Sequence, residues 1–428
     1  MLEGRVRPYR VAIIGGGASG VCLAGLLGEQ SRPDCPLEVD IFDQGEALLR
    51  KVLATGNGRC NFTNRDISLD HYTGESREFP GPILESFGFE EATAFFRRLG
   101  LPSRVLDSGM TYPATMKADS LVRILEAWVR HQGVKVHLSC EIRAVEKKDG
   151  SYQVRDGEGK VRGPYQALVL ATGGAYGIGK KEWSRGYSLV KDLGHRLTPI
   201  HPAICGLVVR ESIFCRKATG DKLEAGLRMV DGEGRIKIRS GDLLFTDYGI
   251  SGMGVFRLSN DLLGMVGNGV TPEVTVDLLP DLSLDEGVDI LGSLYESRKD
   301  WKAEEALAGF FPKKVLRASL EEGGIQADQA LSQAPLSHYE AWLASSKTMT
   351  FHVLGARKKD HGQVTCGGLA TGQVDPQSLE SVLSPDLYFM GEVLDVQGEC
   401  GGYNLHWAWA SAHAVSRAIR ERIAKEGK

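Results

Sequence analysis

Gly15, Gly17 and Gly20 stand in the spacing G-x-G-x-x-G within Val11-Ala12-Ile13-Ile14-Gly15-Gly16-Gly17-Ala18-Ser19-Gly20. The chemistry this spacing serves is the holding of a pyrophosphate. The first glycine turns the chain tightly, the second lets a phosphate reach the backbone, and the third lets a helix pack closely on a strand. Ala18 and Ser19 lead to the apolar run Val21–Leu27, read as that helix, whose N-terminus offers unpaired N–H groups and a positive dipole end. Asp43 lies 23 residues beyond Gly20, next to Gln44 and at the end of an expected strand, Leu37–Phe42. A carboxylate there accepts the ribose hydroxyls of a dinucleotide. Asp40, inside the strand, has its side chain committed to a sheet face.

Three further segments are dense in groups suited to a polar ligand. Lys51 precedes Thr55-Gly56-Asn57-Gly58-Arg59-Cys60-Asn61, where two glycines, two asparagines and an arginine suit a loop wrapped on that ligand. Ala167–Ala171 reads as a buried strand and ends in Thr172-Gly173-Gly174, small residues that let the chain pass beside a cofactor. Near the C-terminus a strand ends in Gly391-Glu392, and Gly401-Gly402 starts a helix at Tyr403-Asn404-Leu405 that runs to about Lys425. The N–H groups of Asn404 and Leu405 would face developing negative charge. One ligand needing both ends of the chain requires the C-terminus to complete the N-terminal domain.

The elements that position these groups follow from the pattern of apolar residues. Val11–Ile14 and Ala167–Leu170 are continuous apolar runs, as expected for parallel strands covered on both faces. Residues 83–101 and 118–132 read as amphipathic helices. Val134–Leu138, Ile142–Glu146 and Tyr152–Arg155 read as a meander, with Ile142 near an adenine. From about Leu197 to Asp277, short β-branched runs alternate with Gly/Asp turns, as in an antiparallel barrel. Residues 283–345 read as helices, and Thr348–Leu354 returns to strand. The expected class is α/β. Residues 1–196 and 362–428 form a Rossmann-like domain split in sequence, residues 197–282 and 346–361 an antiparallel β-barrel, and residues 283–345 a helical insertion.

At 428 residues the chain has room for two or three domains. With 51 basic and 55 acidic residues the formal charge is −4, which does not suggest a nucleic-acid partner. No apolar run is long enough for a membrane helix, and Met1–Arg10 has no apolar leader core, so a cytoplasmic location is expected. The eight cysteines include no C-x-x-C pair, so neither a metal site nor disulfides are expected.

Four segments together are similar to those of the BaiN/YhiN-like flavoprotein family, a branch of the two-dinucleotide-binding oxidoreductases. They are Gly15–Gly20, Thr55–Asn64, Phe245–Gly252 and Gly391–Leu405, in an order that spans nearly the whole chain. The resemblance implies non-covalent FAD in the split domain. Glu392 would then hold a ribityl hydroxyl, and the helix start would face the flavin N1–C2=O edge. It also implies a reductase drawing on NADH or NADPH, with a hydrophobic, cyclic 3-oxo substrate such as a bile-acid intermediate. Tyr248, Tyr187 and His201 are the candidate donors to the substrate. The glycines of 245–254 would let that segment approach a planar ring. Two other functions remain open: an amine oxidase using O2, and a non-catalytic FAD-binding or RNA-associated module. The run Lys181-Glu182-Trp183-Ser184-Arg185-Gly186-Tyr187 and Met253 depart from the family pattern.

Overall fold

Val11, Ala12 and Ile13 are completely buried because the first strand, Tyr9–Ile14, has a parallel neighbour on each side. The computed structural model describes residues 7–177, 184–357 and 362–426. Within it the chain divides into two compact units, Met1–Ile200 with Gln363–Lys428, and His201–Gly362.

The first unit is built on a five-stranded sheet in the order Leu387–Phe389, Ala167–Leu170, Tyr9–Ile14, Leu37–Phe42, Lys135–His137. All four pairings are parallel. The strand from the far end of the chain thus continues the sheet begun at its start. The helix Ala18–Gln30 follows the first strand and is buried almost along its whole length, from Ser19 to Leu27. The helix Ala118–His131 turns Leu121, Leu125 and Trp128 into the same core, and Gly25 has no side chain because the Trp128 ring lies against it. The final helix, Tyr403–Glu426, buries Trp407, Trp409 and Ala412.

The second unit holds a closed antiparallel barrel in the order Leu207–Val209, Gly249–Ser251, Ile236–Thr246, Lys222–Val230, Glu273–Asp277, Met349–Ala356, returning to the first. Alternate residues Ala225, Leu227 and Met229 face its interior, following the period of two. Between its last two strands in sequence lie the helices Leu284–Ser297, Ala303–Ala306, Lys313–Glu322 and Leu336–Lys347. Ser283 caps the first of these, accepting from the Glu286 N–H while Glu286 reaches back to the Ser283 N–H. The architecture is therefore the expected one, a sequence-split Rossmann-like unit interrupted by a barrel that carries helices.

Two local expectations change. Residues 83–101 form two helices, Gly81–Ser86 and Phe89–Arg98, because Gly88 starts a new one at residue 89. Lys135–His137 leaves the meander and becomes the edge of the parallel sheet, while Val161–Tyr165 supplies the meander's third strand.

Candidate functional site

Gly15 has φ +115°, and a Cβ there would lie 2.2 Å from the Ala171 carbonyl oxygen. A Cβ on Gly20 would lie 1.9 Å from the Gly15 oxygen. These two glycines let strand, loop and helix close on one another. Gly17 is different: a Cβ there would meet nothing within 4 Å among the described residues. No side chain caps the helix that begins at Ala18. The middle glycine and the uncapped helix start therefore form an open, electropositive face, and a carboxylate or phosphate is the complement to it.

Asp43 holds this loop from behind. Its Oδ2 accepts from the Gly16 N–H at 2.6 Å and its Oδ1 from the Gly45 N–H at 2.6 Å. Each carboxylate oxygen has a second lone pair, so the group can still accept from a ligand hydroxyl. Asp40, by contrast, is buried and paired with His137 at 2.6 Å across the sheet edge. Gln44 is exposed.

Lys51 reaches the last segment of the chain. Its Nζ donates to Glu392 Oε1 at 2.9 Å and Oε2 at 2.7 Å, and to the Tyr176 carbonyl at 3.1 Å. Glu392 Oε1 also accepts from the Thr365 N–H at 2.9 Å. A Cβ on Gly174 would lie 2.2 Å from Thr365 Oγ1 and 2.7 Å from Glu392 Oε1, so the glycine admits this network. Gly173 has φ +72° and faces open space. Thr172 Oγ1 is buried and without a partner among the described residues. Gly391, at φ +70°, leaves room for Ser19 Oγ. Ile142 is buried at the start of its strand.

The loop after Lys51 coils left-handedly, with positive φ at Gly56, Asn57, Gly58 and Cys60. Asn57 and Arg59 are exposed, and the Arg59 guanidinium lies over the Tyr112 ring at 5.4 Å. Asn61 Oδ1 accepts from the Thr111 N–H at 3.0 Å. Cys60 is fully buried, and burial pushes its thiol up to about 12, so it is a packing residue with no thiolate character.

Gly402 has φ +101°, and a Cβ there would meet the Thr63 carbonyl oxygen at 2.6 Å. Asn404 spends its side chain on Gly398, accepting from its N–H at 2.9 Å and donating to its carbonyl at 2.6 Å. Only the backbone of Asn404 and Leu405 is left to serve a ligand. Two histidines brace this helix start, and neither stood out in the sequence. His71 stacks on Tyr403 with centroids 4.3 Å apart and lies between Asp66, at 2.9 Å, and Glu399, at 3.3 Å. Burial alone would lower its pKa, but hydrogen bonds to Glu399 and Asp66 and their charges raise it. His406 is fully buried between Thr63 Oγ1, 2.8 Å from Nδ1, and the Phe87 carbonyl, 2.9 Å from Nε2. Burial pushes its pKa down to about 4. Thr365 was also missed; its only sequence signal is the Gly367-Gly368 pair just after the short strand Val364–Cys366.

Of the three candidate donors, Tyr187 lies in the first unit, 4% exposed, its hydroxyl donating to the Glu392 carbonyl at 3.5 Å. Burial raises its pKa well above that of a free phenol, with Glu392 adding to the effect. The groups that act on it belong to the network around Glu392. Tyr248 occupies the two-residue turn between the strands Ile236–Thr246 and Gly249–Ser251, half-buried beneath the Arg357 guanidinium at 4.5 Å. His201 opens the second unit and is half-buried. The glycines nearby have a local explanation. A Cβ on Gly249 would lie 2.2 Å from the Leu207 oxygen, one on Gly252 2.2 Å from the Asp242 oxygen, and one on Gly254 2.6 Å from a Leu227 methyl. All three serve closure of the barrel itself. Lys181, Glu182 and Trp183 of the atypical run lie outside the described residues.

Comparison with known proteins supplies the family. A model described as the HI0933-like protein Rossmann domain matches residues 9–418. The chain belongs to this HI0933-like, BaiN/YhiN-type family. It is 34% identical over 414 residues to a 3-dehydro-bile acid delta(4,6)-reductase of Clostridium scindens, covering 96% of this chain and 99% of that protein. It is 28% identical over 410 residues to a ribosomal RNA dihydrouridine synthase of Haemophilus influenzae, covering 95% and 97%. Among solved structures, a 3-ketosteroid-delta4-(5alpha)-dehydrogenase from Rhodococcus jostii RHA1 aligns at TM-score 0.44 and 13% identity, over 97% of this chain and 98% of that one. Among the described residues no helix is long and apolar enough to cross a membrane.

Proposed function

We propose that the chain is an FAD-dependent oxidoreductase that reduces a ring C=C bond conjugated with a carbonyl, using NADH or NADPH as electron source. The observation that carries this reading is the 34% identity with a bile-acid reductase over nearly the full length of both proteins. The first unit's groups suit FAD: an open glycine face at Gly17, an uncapped helix start, an acceptor at Asp43, the orphan hydroxyl of Thr172, and Glu392 fixed by Lys51. When bound, FAD would supply the hydride chemistry. The protein's residues then have separate tasks. Gly17 and the helix start bind the pyrophosphate, Asp43 orients the ribose, Glu392 orients the ribityl chain, and the first-turn N–H groups of Asn404 and Leu405 stabilise negative charge. A hydroxyl such as that of Tyr248 would polarise the substrate carbonyl.

The similarity to a ribosomal RNA dihydrouridine synthase bears on the reaction class. Dihydrouridine is uridine with its ring C=C reduced, and that bond is also conjugated with a carbonyl. A 3-oxo steroid-like ring remains the favoured substrate because the higher identity is to the bile-acid enzyme.

Stopped-flow mixing of the flavin-loaded protein with NADH and with NADPH tests the reading. Bleaching of the flavin absorbance by either, followed by reoxidation with a 3-oxo-4-ene or 4,6-diene substrate but only slowly with air, is the expected result. Fast reoxidation by air and none by the enone would instead make the protein an oxidase. Tyr248→Phe should slow the enone step while leaving flavin content unchanged; an unaltered rate would remove Tyr248 from the chemistry.

Asp43→Ala should raise the FAD dissociation constant ten- to a hundredfold, since a hydrogen bond to a charged group contributes roughly 1.5–3 kcal/mol. Because the carboxylate also anchors the Gly16 and Gly45 N–H groups, the FAD-free variant should lose about 1–3 kcal/mol of stability as well. Fluorescence titration and urea unfolding measure the two effects. Unchanged FAD affinity would take Asp43 out of the site.

A further inference from the structure

Far from the glycine face, the last turn of the helix Ala18–Gln30 meets the middle of the C-terminal helix around a cleft of about 210 Å³. Gln30 is twelve residues from the start of its helix, so the cleft lies roughly 18 Å along the helix axis from Ala18. Its polar lining consists of Gln30, Ser86, His413, Ser416, Arg417 and Arg420, with no carboxylate.

His413, Arg417 and Arg420 follow at i, i+4 and i+7 and so share one face of the helix. The two arginines are exposed and make no ion pair or hydrogen bond among the described residues. Like charges three residues apart on a helix repel, and an anion between them would relieve this. The wall behind them is short of partners too. Gln30 Nε2 donates to Ser416 Oγ at 2.9 Å, which leaves Gln30 Oε1 buried with no partner among the described residues, and His413 Nε2 is in the same condition. A buried polar atom left unpaired is unfavourable, and a ligand that pairs it removes that cost. His413 is stacked on Phe87 at 4.2 Å, and burial, then the charge of Arg98, keep it neutral. Either ring nitrogen can then carry the proton, and the Gln30 amide can present either end. Arg98 itself is paired with Glu29 at 2.8 Å.

We propose that this cleft is a binding site for a small oxyanion, a phosphate or a carboxylate, held by Arg417 and Arg420 against Gln30 and His413. Size sets the class of ligand. The cleft holds far more than a single water requires, yet falls below the 300–1,000 Å³ typical of pockets for drug-sized ligands. A ligand bound there would tie the last turn of the helix Ala18–Gln30 to the middle of the C-terminal helix, at the end remote from the glycine loop.

Isothermal titration of the whole protein with sodium phosphate and, separately, with sodium succinate tests this against ionic-strength-matched sodium chloride. Binding of one ligand, with its dissociation constant raised at least tenfold in the Arg417→Gln/Arg420→Gln double variant, is the expected result. The ligand that responds decides between phosphate and carboxylate. Because both arginines are exposed, the double variant should fold, and its circular dichroism and melting temperature in chloride verify this. Absence of binding by both ligands would overturn the proposal. So would phosphate binding that survives in the double variant, since that binding would belong elsewhere, such as the glycine loop.

Discussion

Gly17→Ala is expected to leave the fold intact while abolishing dinucleotide binding, whereas Gly20→Ala is expected to unfold the first unit. The two positions are three residues apart but face different surroundings. At Gly17 the backbone has φ −81°, accessible to any residue, and a methyl would project into open space. No atom of the described residues lies within 4 Å to resist it, so stability should change by less than about 1 kcal/mol. The methyl would, however, stand where a phosphate must approach the N–H groups, and affinity for FAD should fall at least a hundredfold, about 2.7 kcal/mol. At Gly20 the methyl would fall 1.9 Å from the Gly15 oxygen. Gly15 cannot retreat, because its N–H is held by the Phe42 carbonyl and its own Cα faces the Ala171 oxygen. Strand and helix would have to separate, at a cost of at least about 3 kcal/mol. Urea unfolding and flavin titration of both variants measure the contrast. A Gly17→Ala protein that binds FAD normally would show that the glycine face is not the pyrophosphate site.

That contrast also marks what could be read from the order of residues. The spacing 15–17–20 identifies a turn, an approach and a packing contact, since only glycine tolerates all three, and the flanking apolar runs place it between strand and helix. The barrel was legible for a similar reason: short β-branched runs punctuated by Gly/Asp turns have few other uses. What escaped are features created by contacts distant in sequence. Lys51 and Glu392 are 341 residues apart, and their pairing becomes visible only once the last strand joins the sheet. Gly249, Gly252 and Gly254 invited a ligand as explanation, yet each faces the barrel's own atoms, because a closing barrel brings backbone to backbone as closely as a ligand would. Tyr187 illustrates the same limit. Its hydroxyl meets Glu392 through the fold, and nothing local distinguishes a buried tyrosine from a catalytic one.

Mild acid is expected to destabilise the protein strongly, through His406 and His413. Burial pushes the pKa of each down to about 4 from an ordinary 6.5, with Arg98 adding to the effect at His413. Between these values the unfolded chain binds protons that the folded one refuses, so stability falls as pH falls. Each histidine should contribute a loss of about 1 kcal/mol by pH 5.5 and about 3 kcal/mol by pH 4. Together the two losses approach the whole stability of an ordinary domain. His71 acts with the opposite sign. Its raised pKa gives a stabilisation that is complete below about 6.5 and is lost as pH rises through the folded value, so it offsets none of the further loss on the acid side. Urea unfolding at pH 7, 5.5 and 4.5 should give a falling stability whose slope is roughly halved in His406→Gln. Glutamine can still accept from Thr63 and donate to Phe87 but takes up no proton. A wild-type stability that stays flat from pH 7 to 5 would mean these imidazoles reach water in solution. The braced start of the C-terminal helix would then be looser than its contacts with Thr63 and Phe87 imply.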